Sequence, residues 1–244
     1  MAQVINTNLP SLFGSMAMNK SNNALQTAMQ RLSSGVRINS AKDDSTGMVK
    51  ASGYEKTMRG ANIAARGAAD GISTAQINDG VHQQVYENLQ RMREIAVADG
   101  GTIAANNVEA AALVAENTRL TGLANAATAA VVVSATGATV ASTGVKADVS
   151  AATATGTVAN MDTAITNVLN ARAKYGADMA TFQSAINNLE SQSVNTAAAY
   201  SRVMDTDYAV ETTNMTRNLI LQQAGTAMLA QANQLPNNVL SLLR

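Results

Sequence analysis

The sequence predicts a mainly α fold of long helices in coiled-coil-like bundles, with a small β-hairpin or loop in the middle. Three observations carry this. Apolar residues repeat at heptad spacing near the start of the 244-residue chain and again over residues 165–203, and others stay near one helix face over residues 215–235. The two prolines, Pro10 and Pro236, both lie close to the ends, so nothing between them obliges a helix to kink. Residues 124–160 differ in composition, being almost entirely Ala, Thr, Val, Ser and Gly.

The first helix starts near Leu12. Met18, Leu25 and Leu32 lie seven apart, Met29 and Val36 fall between them at heptad spacing, and Asn22 is a polar interruption. This makes one narrow apolar seam. Gly35 weakens the helix end, and the polar run of residues 39–45 is a connector in which Asp43, Asp44 or Ser45 would cap the next helix. That second helix runs to about Asp99, where Gly100 and Gly101 break it. Its clearest part is Val81, Val85, Leu89, Met92 and Ala96, with Ile95 beside them. Glu109 to Leu123 predicts a shorter third helix.

In the stretch 124–160, Val131, Val132, Val133 and a later Val/Thr alternation favour strand, with Gly137 and Gly144 as turns. The fourth helix has the longest pattern. Ile165, Val168, Arg172, Tyr175, Met179, Phe182, Ile186, Leu189, Ser193, Thr196, Tyr200 and Val203 advance by alternating steps of three and four. A helix of that extent is roughly 58 Å long. It cannot bury its seam against itself and needs partner helices, in the same chain or in neighbours. The fifth helix runs from about Asp207 to Leu235, with Met215, Leu219, Met228 and Leu235 near one face and Pro236 ending it. The apolar tail from Val239 to Leu243 would be an association patch if exposed. Apolar seams at both termini, where chains usually fray, point to assembly.

Composition narrows the function. Aromatics make up 3% of the chain, so Ala, Val, Leu, Ile and 12 Met must fill the interior. That suits thin interfaces between close helices better than a thick core. Seventeen basic residues balance 17 acidic ones, against a nucleic-acid partner and against electrostatic attachment to a membrane. No segment approaches the ~18 apolar residues of a membrane span. The first residues offer neither a basic nor an apolar signal region, so export would use another machine. Without Cys, disulfides and thiolate zinc are excluded. His82 has Asp79 and Glu87 near it in sequence but no ligands at helix-compatible spacing, so it reads as a plain surface or interface histidine. Asp43 and Asp44 have no basic or nucleophilic partner and read as capping and connector residues. No catalytic residue, metal or cofactor is expected.

Several long stretches carry a family resemblance. Met1-Ala-Gln-Val-Ile-Asn-Thr-Asn8 resembles the start of many bacterial flagellins, and Gln30-Arg-Leu-Ser-Ser-Gly-Val-Arg-Ile-Asn-Ser-Ala-Lys-Asp-Asp44 resembles their most recognisable internal stretch. Residues 62–80 continue the match, and Leu89-Gln-Arg-Met-Arg-Glu-Ile-Ala-Val97 is similar to the family's exposed helix motif. Asp205-Thr-Asp-Tyr-Ala209 and the run from Gln222 to Pro236 resemble the C-terminal signature. Two departures stand out: Thr121-Gly-Leu-Ala-Asn125 replaces the family's Phe-Asn-Gly element, and Ser45-Thr-Gly-Met-Val-Lys50 replaces Ala-Ala-Gly-Leu-Ala-Ile.

The resemblance implies a structural subunit that self-assembles into the extracellular flagellar filament for motility, and not an enzyme. The alternative is a hook–filament junction protein, which shares similar terminal helices. It further implies that residues 1–44 and 205–244 pair as an antiparallel, discontinuous helical hairpin in an inner core. Residues 45–204 would form an outer tube of antiparallel helices, with a short variable segment at 124–160. Inner-core packing would fall to Met18, Leu25, Met29, Leu32, Met215, Leu219, Met228 and Leu235. Outer-tube packing would fall to Val85, Leu89, Met92, Ile165, Val168, Met179, Phe182, Ile186 and Leu189. Implied partners are copies of the chain, the flagellar export apparatus, an export chaperone and the filament cap. Host innate immune receptors read Leu89, Arg91, Arg93, Glu94 and Ile95, or the segment containing Asp43 and Asp44, in some flagellins. The same stretches are explained first by subunit packing.

Overall fold

The computed structural model describes residues 7–124, 130–132, 134–144 and 146–242. Side chains of 130–132 and 235–242 are not described. The chain forms α1 (Leu9–Ser34), α2 (Ser45–Ala98), α3 (Val108–Leu123), β1 (Ala130–Val132), β2 (Thr139–Ala141), α4 (Val158–Met204) and α5 (Tyr208–Leu242). Contacts divide it into two units, residues 1–54 with 198–244, and residues 55–197.

In the first unit α1 and α5 pack together. Asn8 caps α1, its side chain accepting from the Ser11 N–H at 3.3 Å, and Pro10 occupies the first turn, where a missing N–H costs nothing. Gly35 ends α1 in the left-handed conformation, φ 72°, and its N–H closes on the Arg31 carbonyl at 2.8 Å. The chain then pairs with the segment before α5. The Arg37 N–H donates to the Met204 carbonyl at 2.6 Å, and the Thr206 N–H to that of Gly35 at 3.0 Å. Asp43 Oδ2 accepts from the Asn39 N–H and from both the N–H and hydroxyl of Ser40. Of the three expected caps, Asp44 serves, accepting from the Gly47 N–H at 2.8 Å and the Thr46 hydroxyl at 2.9 Å.

One sequence-based boundary is corrected. Pro236 does not end α5, which continues as helix to Leu242. A proline in a helix removes one donor, and here the freed carbonyl of Ala232 accepts instead from Asn8 Nδ2 at 2.9 Å.

The second unit has its core among α2, α3 and α4. The buried stripe of α4 runs through Met161, Ala164, Val168, Ala171, Tyr175, Asp178, Phe182 and Leu189. On α2 it runs through Ala75, Asn78, His82, Val85, Leu89, Met92 and Ala96. Both advance by threes and fours, as a coiled-coil seam does. Gly100 and Gly101, at φ 84° and 102°, turn the chain after α2. Thr102 bridges Thr157 across the base of the excursion that follows. Within it β1 and β2 form an antiparallel pair with Val131 opposite Val140. Val133 lies outside the described residues.

Candidate assembly surface

The hairpin seam is antiparallel and poor in large side chains. Ser21 Oγ donates to the Asn218 carbonyl at 3.0 Å, and Gln222 Nε2 donates to Asn22 Oδ1 at 2.8 Å. Nearer the open end, Gly14 faces Leu229, whose Cδ2 lies only 2.9 Å from where a Cβ would sit. A larger residue there would make the Leu229 side chain move aside. Leu25 and Ala28 are buried with Ser21, while Met18 and Leu32 are half-buried. On α5 the facing residues include Glu211, Met215, Asn218 and Gln222; Glu211 is buried and lies 3.8 Å from the Arg31 guanidinium.

The larger apolar residues point elsewhere. Leu9, Leu12, Phe13 and Met16 are exposed, Phe13 at 68%, and their spacing places them on one face of α1. That face is distinct from the seam. On α5, Ile220, Leu221 and Met228 are exposed, Met228 at 67%. Met29 and Leu219, read with Met228 for inner-core packing, are exposed with them in the single chain. Ala28 takes the place read for Met29, because its small side chain lets the two helices approach. The Leu235 side chain lies outside the described residues. A helix with one partner inside its chain and a second apolar face needs a second partner.

The second unit places the other expected residues. Val85, Leu89, Met92, Val168, Phe182 and Leu189 are buried. Ile165, Met179 and Ile186 flank the seam half-buried, and Ala164, Ala171 and Asp178 occupy it. Of the residues named for a receptor, Leu89 and Ile95 are buried in the core. The exposed residues of that stretch include the charged ones. Arg91 pairs with Glu94 and Glu109 at 3.1 and 2.8 Å, and Arg93 pairs with Asp162 at 2.6 Å. Hydrogen bonding to Glu109, then Glu94, raises the Arg91 pKa, and the same contact lowers that of Glu109. Asp43 and Asp44 are engaged in local turns, and backbone hydrogen bonds from Ser40 and Gly47 respectively lead in lowering their pKa values.

His82 is not a surface histidine. It is fully buried, because it falls on the α2 stripe between Asn78 and Val85. Its Nδ1 lies 2.7 Å from the Asn78 carbonyl, and its Nε2 accepts the Ala147 N–H at 3.1 Å. Those partners fix the Nδ1–H tautomer. Beside it, Asp178 collects the Ser142 hydroxyl, the Thr143 N–H and hydroxyl, and the Gly144 N–H, all within 3.0 Å. Burial would raise the Asp178 pKa, but these donors outweigh it and hold the carboxylate below its ordinary range. Together the two side chains anchor the segment after β2. Sequence reading missed Asp178, because a lone acid in a heptad looks like an exposed position.

Among the described residues no three His, Asp or Glu side chains gather as a metal site, and no helix is long and apolar enough to cross a membrane. Exposed apolar residues gather on the outward faces of α1 and α5. Comparison with known sequences gives the same direction. The profile of the bacterial flagellin N-terminal helical region matches residues 5–134, and that of the C-terminal helical region matches residues 158–243. This chain belongs to the bacterial flagellin family. It is 34% identical to a flagellin of Halalkalibacterium halodurans over 99% of this chain and all of the relative. It is 30% identical to a flagellin of Bordetella bronchiseptica over the full length of both. A flagellin of Salmonella typhimurium is 53% identical over 97 residues, which cover 40% of this chain and 20% of the relative. As a flagellin it is a structural subunit that self-assembles into the extracellular filament used for motility. The matches do not favour the junction-protein alternative.

Proposed function

We propose that the α1–α5 hairpin, residues 1–44 with 205–244, is the inner core of the filament and joins subunits through its outward apolar faces. Residues 45–204 form the outer tube, with 124–160 toward solvent. One observation carries this reading: the hairpin keeps small and polar residues in its own seam and turns Phe13, Ile220 and Met228 outward. Burying each such side chain against a neighbour contributes on the order of 1.5–3 kcal/mol. Repeated along a helical lattice, a few of these per subunit suffice for a stable polymer. Resemblance to the family supports, as further partners, an export apparatus, a chaperone on the C-terminal helix and a filament cap. A host receptor reading α2 meets Arg91, Arg93 and Glu94, because Leu89 and Ile95 face the core.

The test is substitution on the outward face. Phe13→Ser with Ile220→Ser removes apolar contact without touching the hairpin seam. Sedimentation and electron microscopy should find soluble subunits with an intact 55–197 unit and no filaments. Filaments of ordinary length and stability from this variant would rule the outward faces out as subunit contacts.

A further inference from the structure

In an α-helix the N–H of residue i bonds the carbonyl of residue i−4. Pro236 has no N–H, so the Ala232 carbonyl loses its helical partner, yet α5 continues to Leu242. The missing donor comes from the other end of the chain. Asn8 Nδ2 lies 2.9 Å from the Ala232 oxygen. The opposite end of the same amide is also engaged, Oδ1 accepting the Ser11 N–H at 3.3 Å as the cap of α1. A backbone N–H only donates and a carbonyl only accepts, so these partners fix which way the amide faces. Ser11 extends the contact, its hydroxyl donating to Asn233 Oδ1 at 2.9 Å.

We propose that Asn8 is a positioning residue for assembly: it closes the gap that Pro236 leaves in α5, locks the register of α1 against α5, and keeps 237–242 helical. Other side chains do half of this. Aspartate caps a helix but brings no donor, and serine caps through an Oγ that stands one bond closer to its own backbone than the Asn8 Nδ2 that reaches Ala232. Asparagine does both from one position. The Asn8 contact thus couples the start of the chain to its last helical turns, so a subunit whose ends are out of register keeps the local cap but loses the donor to Ala232.

The inference rests on the reading of the hairpin as the assembling part, and the experiment separates the two. Asn8→Ser keeps a cap and removes the amide donor. Pro236→Ala restores the helical N–H to Ala232. Each is made alone and together in the full chain, and the critical subunit concentration for filament growth is measured. Amide exchange of 237–242 within the filaments is followed alongside. Asn8→Ser should raise the critical concentration about tenfold and open 237–242 to exchange, on the scale of one lost hydrogen bond to a part-buried carbonyl. In the Pro236→Ala background the same change should raise it by less than about twofold and leave the protection in place. An equal rise in both backgrounds would make Asn8 a cap and nothing more, and no rise in either would remove its role altogether. If the unmodified chain builds no filament, the assembly reading itself fails. The same four chains, compared by helix content, then still report whether the two substitutions couple.

Discussion

At the scale of single residues, the second unit depends on polar groups placed where a coiled coil expects hydrocarbon. Asp178 sits in the α4 seam and, among the described residues, receives its hydrogen-bond donors from the short segment 142–144. His82 holds Ala147, just after that segment. Asn88 and Asn117 do similar work between α2 and α3, bonded at 2.8 Å in a buried position. Such pairs are costly out of register, since each leaves a buried donor or acceptor unserved. Asp178→Asn should therefore destabilise the unit by about 2–3 kcal/mol in denaturant unfolding, because an amide nitrogen then confronts N–H and hydroxyl donors. The sign with pH follows from the lowered pKa. The stability Asp178 contributes is complete above the unfolded-state value of about 3.9 and fades as pH falls through the folded-state value. The variant should lose that part of the acid dependence, so the two unfolding curves converge at low pH. Curves that stay parallel down to pH 2 would assign the carboxylate no such part.

At the scale of elements, the helices are read correctly in type and place, while their rotation is not. In α4 the positions Val168, Phe182 and Leu189 are both expected and buried, yet the alternate positions fall one residue earlier than the apolar pattern suggests. Ala164 and Ala171 take the seam and Ile165 stands beside it. The same offset appears in α1, where Ser21 and Ala28 replace Asn22 and Met29. The cause is physical. Sequence patterns weight large apolar groups, whereas two helices that approach closely need small ones at the point of contact. A large residue next to such a point can remain half-exposed or serve another partner. Pro236 misled for a related reason, since the donor that lets α5 continue comes from a distant residue. His82 and Asp178 were illegible because their partners lie in a segment whose own pattern is nearly featureless. The rotation is testable. Ala171→Leu should cost about 1–3 kcal/mol by overpacking the seam. Ile186→Ala, which removes a larger group from beside the seam, should cost less than about 1.5 kcal/mol because that side chain is already half-exposed. Chemical denaturation of the two variants decides it, and the reverse order would restore the phase read from the large residues.

At the scale of the whole molecule, the two units differ in how much they hold themselves together. The 55–197 unit has a core that includes Tyr175, Leu89, Met92 and Met161, each fully buried. The hairpin has mainly Leu25 and Ala28, and its remaining contacts are hydrogen bonds and half-buried residues. A two-helix arrangement with so little apolar burial is marginal in water, where isolated helices scarcely persist. Its larger apolar groups are covered only when a neighbour arrives. The stability of residues 1–44 and 205–244 should then depend on assembly, as expected for segments that fold on binding. In dilute free subunits, amide exchange should be slow across α3 and the core-facing part of α2 and near the unstructured rate in the hairpin. After polymerisation the hairpin should become the more protected part. The physical benefit is specific: chain ends that stay open cannot nucleate polymer before a growing end presents partners. A monodisperse subunit whose hairpin exchanges as slowly as α3, at concentrations where no polymer forms, would show that the seam alone suffices. The outward residues Phe13 and Met228 would then have to add affinity between preformed hairpins, and assembly would follow subunit concentration without any change in helix content.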